Sequence, residues 1–133
     1  MALKMGHTFT VMERYLDGAT ARQKAIANNI SNVNTPGFKR YLVSFEDKLH
    51  NAQENPKKQV LKMTQPEHIG FIKDETYDVT RDRSAGNRAD GNNVDLEQEM
   101  TLMIKSNLYY NGAIKQINKK IAMQKYIYSD GKG

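Results

Sequence analysis

The sequence has no cysteine and no tryptophan among its 133 residues, and only three prolines. Without cysteine, disulfides and thiolate metal sites are excluded, and the redox compartment is left open. Aromatic residues make up 8% and mean hydropathy is -0.74, a lean supply of core. No apolar run approaches the roughly 20 residues of a membrane-spanning helix. The opening residues, Met1 to His7, hold no apolar h-region of the kind a secretory signal needs. Passage out of the cytoplasm is therefore expected to use a route that cuts no such signal.

Catalytic patterns are missing too. His7, His50 and His68 have no ligand spacing, and no glycine-rich phosphate loop is present. Asp90-Gly91-Asn92-Asn93-Val94-Asp95 resembles a calcium loop only faintly, and a turn leading into a helix cap explains it better. Glu97 and Glu99 sit two apart, a spacing at which helical side chains do not face each other. The chain is expected to be no enzyme, with no cofactor, no metal and no small-molecule substrate. A net charge of +5 with a pI near 9.4 permits nucleic-acid contact without selecting it. A small basic helical nucleic-acid-binding protein is the alternative reading, although Tyr110, which could stack on bases, falls on an apolar seam.

What is present is helix periodicity at both ends. At 133 residues one structural unit is expected, in three parts: an axial helix and turn over 1–37, a variable middle over 38–93, and a second axial helix over 94–133. The first helix is predicted from about Thr8 or Phe9 to about Asn32. Phe9, Met12, Leu16, Ala19, Ile26, Ile30 and Val33 recur by sevens on one seam, broken by Gln23. A second row, Ala21, Ala25, Asn28 and Asn32, is small and uncharged and suits close approach by a neighbouring subunit. The stretch Ala25–Phe38 carries no charge, in a chain that is 26% charged, and four of its residues are Asn. A solvated helix spreads charge over its outer face, so this stretch is expected to be contacted on more than one side. Thr35-Pro36-Gly37-Phe38 fits a type II turn.

The second helix has a clear start. Asp95 is placed to cap it with Gln98 three residues on, and Glu97 and Glu99 suit the positive end of its dipole. Leu96, Met100, Met103, Asn107, Tyr110, Ile114, Ile117 and Ile121 form its seam. Between them, residues 38–93 hold 10 Lys and Arg against 9 Asp and Glu and little apolar surface. A short strand is predicted near 41–45 and a short helix opening at Phe45. Strands near 59–64 and 76–80 are expected to pair. This middle is expected to be mobile in the isolated protein. The predicted class is mainly α: two long terminal helices in an antiparallel coiled-coil hairpin, with a small irregular or short-β middle, partly disordered as a monomer.

Two segments carry a family resemblance. Ala27-Asn28-Asn29-Ile30-Ser31-Asn32-Val33-Asn34-Thr35-Pro36-Gly37-Phe38-Lys39 is similar to the N-terminal signature of bacterial flagellar axial proteins, the rod, hook and hook-junction subunits. Asp90 to Met100, with Asn107-Leu108-Tyr109-Tyr110, resembles more specifically the proximal-rod members of the flagellar basal-body rod family. The resemblance covers roughly residues 15–49 and 88–128. It implies a non-enzymatic subunit of the periplasmic rod of the basal body, exported by the flagellar type III apparatus and forming an oligomer there. It also implies four kinds of partner: other rod subunits, the rod-base adaptor protein, the membrane ring and the export gate. The family's early subunits carry a gate-recognition pattern, Phe followed four residues later by an apolar residue. Phe45 and Leu49 match it, as do Phe38 and Leu42, while Phe9 and Glu13 do not.

Overall fold

The computed structural model describes residues 2–54, 76–86 and 88–130. Helix α1 spans Ala2–Ser31, strand β1 Tyr41–Ser44, helix α2 Glu46–Glu54, strand β2 Asp78–Arg81 and helix α3 Leu96–Asp130. At 1.5 Å per residue, α1 is about 45 Å long and α3 about 52 Å. The mainly helical class with long terminal helices packed together is the one expected. Helix α1 begins well before the predicted start. Its first turn has no acidic residue to mark it, and Gly6 is carried inside the helix with open space beside it.

The helices run antiparallel. Asn29 meets Glu99, and Gln23 donates to Asn107 Oδ1 at 2.9 Å. The polar interruption at Gln23 thus has a polar counterpart on the other helix.

On one side of the helix pair lies the two-stranded antiparallel sheet. Val43 pairs with Val79, and Tyr41 with Arg81. The strand at 41–44 is where it was predicted. Its partner is 78–81, overlapping the segment predicted near 76–80. The other predicted strand, 59–64, lies outside the described residues.

The core sits where β1 and the start of α2 meet α1. Ala19, Val43 and Phe45 are buried there, with Tyr15, Ala21, Ala25, Tyr77 and Tyr110 packed around them. Gly18 makes this possible, because the Phe45 ring occupies the space that a Cβ at 18 would need. Tyr15 meets Phe45 edge-on at 5.5 Å. The Arg22 guanidinium lies 4.5 Å over the same ring. Arg22 also donates to Val43 O at 2.9 Å and to both Glu46 carboxylate oxygens. Burying a Phe is worth about 1.5–3 kcal/mol, and an aromatic pair adds about 0.5–1.5. The sheet and α2 are therefore fastened to α1 by the Phe45 ring and by Arg22, which grips the backbone and carboxylate on either side of it.

Candidate functional site

The sequence offers no catalytic set, and among the described residues no group of three or more His, Cys, Asp or Glu could hold a metal ion. What the fold builds instead is a polar junction at the sheet end of the helix pair.

Its first part closes the turn after α1. The predicted type II turn is present: Phe38 N donates to Thr35 O at 3.2 Å, and Gly37 has φ 70. The loop before α3 is laid along this turn. Gly37 N donates to Asp90 O at 2.8 Å, and Asn93 N to Phe38 O at 3.3 Å. The side chain of Asn92, 0% exposed, enters the turn. Its Nδ2 donates to the carbonyls of Asn32 (2.9 Å), Val33 (3.0 Å) and Thr35 (2.8 Å). Its Oδ1 accepts from Val94 N at 2.8 Å. Arg88 adds a second donor to Val33 O at 2.7 Å. Such buried carbonyls need partners, and an amide supplies donors and an acceptor at once.

The second part joins α1, β1 and α3. Asn29, 1% exposed, treats Tyr41 as a neighbouring strand would: Oδ1 accepts from Tyr41 N at 2.7 Å and Nδ2 donates to Tyr41 O at 2.9 Å. The same Nδ2 reaches Glu99 Oε2 at 3.1 Å. Glu99 is 1% exposed; its Oε1 accepts no hydrogen bond but lies 3.5 Å from Arg40 Nη1. Arg40 is the hub. It donates through Nε to Asp82 at 2.8 Å, through Nη1 to Gln98 at 2.8 Å, and through its amide to Asn93 Oδ1 at 2.8 Å. The cap on α3 follows the predicted pattern in one direction, with Gln98 N donating to Asp95 Oδ1 at 3.1 Å. The Gln98 side chain turns to Arg40 instead of back to the cap.

Charge is held in place around this hub. Hydrogen bonds from the Ser84 hydroxyl and amide, then the Arg40 guanidinium, lower Asp82 to about 2. A bond from the Asn92 amide holds Asp90 below its ordinary value, helped by Arg88. Burial pulls Glu46 upward, but donors at Phe45 and Arg22 outweigh it and leave Glu46 lowered.

Candidate residues taken from the sequence fall in several places. On α1, Ala19 and Ile26 are buried and Phe9, Met12, Leu16 and Ile30 half-buried, as is Val33 in the turn that follows. On α3, Met103, Tyr110, Ile114 and Ile117 are half-buried, whereas Leu96, Met100, Asn107 and Ile121 are exposed. The α3 positions turned most fully inward are Glu99 and Ser106. Ala21 and Ala25 lie against the core beside β1, Asn28 is exposed, and Asn32 folds back onto Asn28 O at 2.8 Å. Phe45 is 3% exposed and Leu49 half-buried. Asn29, Arg40, Asn92 and Glu99 were not singled out as site residues. The uncharged, Asn-rich character of 25–38 points to Asn29 alone; Asn92 sits in a loop beside the charged Asp90, and Arg40 and Glu99 lie outside that stretch.

The junction brings 27–39 and 90–100 together, the two segments that carried the resemblance. The sequence model of the family described as "Flagella basal body rod protein" matches residues 17–39. The chain is 32% identical over 126 residues to the flagellar basal body rod protein FlgB of Bacillus subtilis, covering 94% of this chain and 95% of that one. To FlgB of Borrelia hermsii it is 37% identical, over 74% of this chain and 78% of the relative. To FlgB of Aeromonas hydrophila it is 28% identical, over 92% of both. The chain belongs to the FlgB family of flagellar basal body rod proteins. As a member of the FlgB family it is a structural rod subunit of the basal body and not an enzyme. These relatives give no support to the nucleic-acid alternative.

The isosteric change Asn92→Asp would set a carboxylate against three carbonyls. It should lower stability by about 2–4 kcal/mol, read as the urea midpoint by circular dichroism, while Asn28→Asp on the surface stays within about 0.5 kcal/mol. Asp82 predicts a pH effect. Its folded value, about 2, lies below the ordinary 3.8, so the stability it contributes is present above pH 3.8 and is lost as pH falls through about 2. A urea-midpoint titration should show this decline, and Asp82→Asn should flatten that part of it.

Proposed function

We propose that the chain takes its place in the proximal rod by laying the bare flanks of α3 against neighbouring rod subunits. The observation that carries this reading is the apolar surface left uncovered along α3. Ile104 is 69% exposed, Leu108 70% and Tyr126 68%. Met100, Met123 and Ile127 are more than half exposed as well. A monomer rarely leaves so long an apolar strip in water, and such a strip marks an interaction surface. Leu96, Met100 and Ile121 belong with it, as residues whose seven-residue spacing serves a helix of another subunit. Asn28 and Asn32 extend the contact at the sheet end of α1.

The same reading gives the chain its partners: other rod subunits, the rod-base adaptor, the membrane ring and the export gate. It reaches the rod through the flagellar type III apparatus without a cleaved signal. If Phe45 and Leu49 are what the gate reads, they are read before the core closes, since Phe45 is the ring that fastens α2 and the sheet to α1. Incomplete folding before assembly suits both needs.

In a strain lacking this chain, the native sequence should restore rods and swimming. Ile104→Glu with Leu108→Glu should leave the secreted amount unchanged, because both sites are solvent-exposed, yet abolish incorporation and swimming. Normal swimming by that variant would contradict the use of α3, and normal rods without the chain would contradict the subunit role.

A further inference from the structure

The two outer edges of the helix pair carry opposite charge at the same height. Buried Ala19 and Ile26 mark the side of α1 that faces inward, and Ser106 marks it on α3. A helical turn of 100° per residue then places Glu13 and Asp17 on the far side of α1, and Lys115 and Lys119 on the far side of α3. Each pair is spaced by four, so its members are neighbours on one edge. All four are exposed, and none makes an ion pair or hydrogen bond within the described residues. The bond between Gln23 and Asn107 sets the register. Ten residues further along each helix in opposite chain directions, Glu13 lies level with the interval between Lys115 and Lys119.

From this we infer that copies of the chain associate side by side with the same polarity, the acidic α1 edge of one against the basic α3 edge of the next. The inference rests on the rod-subunit reading and specifies which of its faces meet. A two-fold contact through either edge would set lysines against lysines or carboxylates against carboxylates. The unlike contact attracts, and because it joins two different patches it propagates instead of closing as a dimer. Apolar groups fit the same arrangement. Leu108 lies one turn below Gly112 on the α3 edge, level with Thr20 and Lys24 of the opposing α1 edge, where the aliphatic stem of Lys24 covers it and leaves the ammonium in water.

Charge reversal in a strain lacking the native chain tests the pairing. The native sequence restores rods; its failure to do so would contradict the subunit role rather than the edge assignment. Glu13→Lys with Asp17→Lys should lose incorporation, and so should Lys115→Glu with Lys119→Glu. The chain carrying all four changes regains complementary edges and should assemble. Because the sites are solvent-exposed, helicity by circular dichroism should match the native chain in every variant. Normal assembly of either pair variant overturns the inference. So does failure of the four-change chain, which would mean that these edges face a different protein. The natural absence of cysteine gives a second readout: Asp17→Cys and Lys115→Cys chains, mixed in one rod, should oxidise to a disulfide-linked pair. A disulfide between two chains of the same kind would overturn the polarity.

Discussion

The turn that ends α1 exposes carbonyls that no further helical turn can satisfy, and the Asn92 amide, arriving from the loop before α3, takes three of them. Everything at this end of the molecule follows from that insertion. The loop must lie along the turn for the amide to enter, which places Asn93 over Arg40 and starts α3 at a fixed position against α1. Arg40 can then reach Asp82, Gln98 and the buried Glu99 together. Asn29 completes the set by pairing with Tyr41 as a strand edge would. The two long helices are thus set in register by hydrogen-bond geometry at one end, and apolar packing along their length has only to agree with it.

That division explains how the chain uses so little core. Among the described residues, the buried apolar side chains are Ala19, Ile26, Val43, Phe45 and Val94. Only the ring of Phe45 is large, and it sits where Gly18 leaves room for it. A rod subunit has reason to be built this way. In the packing proposed above, apolar surface on Ile104, Leu108, Met123 and Ile127 serves contacts between chains only if it is kept out of the monomer's own core. A polar junction, by contrast, gives direction without consuming that surface.

Much of the fold was legible because local chemistry wrote it. Pro36 and Gly37 dictate the turn, Asp95 the start of α3, and the short apolar run from Tyr41 the strand. The seven-residue spacing on α3 was legible too, but it does not say which chain provides the opposing helix. Met103, Tyr110 and Ile117 are half-buried on the molecule's own packed side, whereas Met100, in the same pattern, is more than half exposed. Periodicity records every apolar contact that a helix makes, within the subunit or beyond it. Asn29 and Asn92 were hidden for a different reason. A buried amide is specified by the backbone groups that surround it, and those are set by the tertiary fold. The sequence shows charge excluded around Asn29 but not around Asn92, which lies between Asp90 and Asp95, and in neither stretch does it say which Asn turns inward.

Hydrogen exchange tests the junction most directly. The Tyr41 amide is held by Asn29 Oδ1 and the Val94 amide by Asn92 Oδ1, at opposite ends of the polar network. If the network is the constraint that sets the helices, both amides open only with the whole fold and exchange with equal, maximal protection. The far half of α3, from about residue 115 onward, should exchange earlier. Contradiction would come from the reverse order, with Tyr41 and Val94 exchanging before the far half of α3, because the helices would then hold their register without the junction.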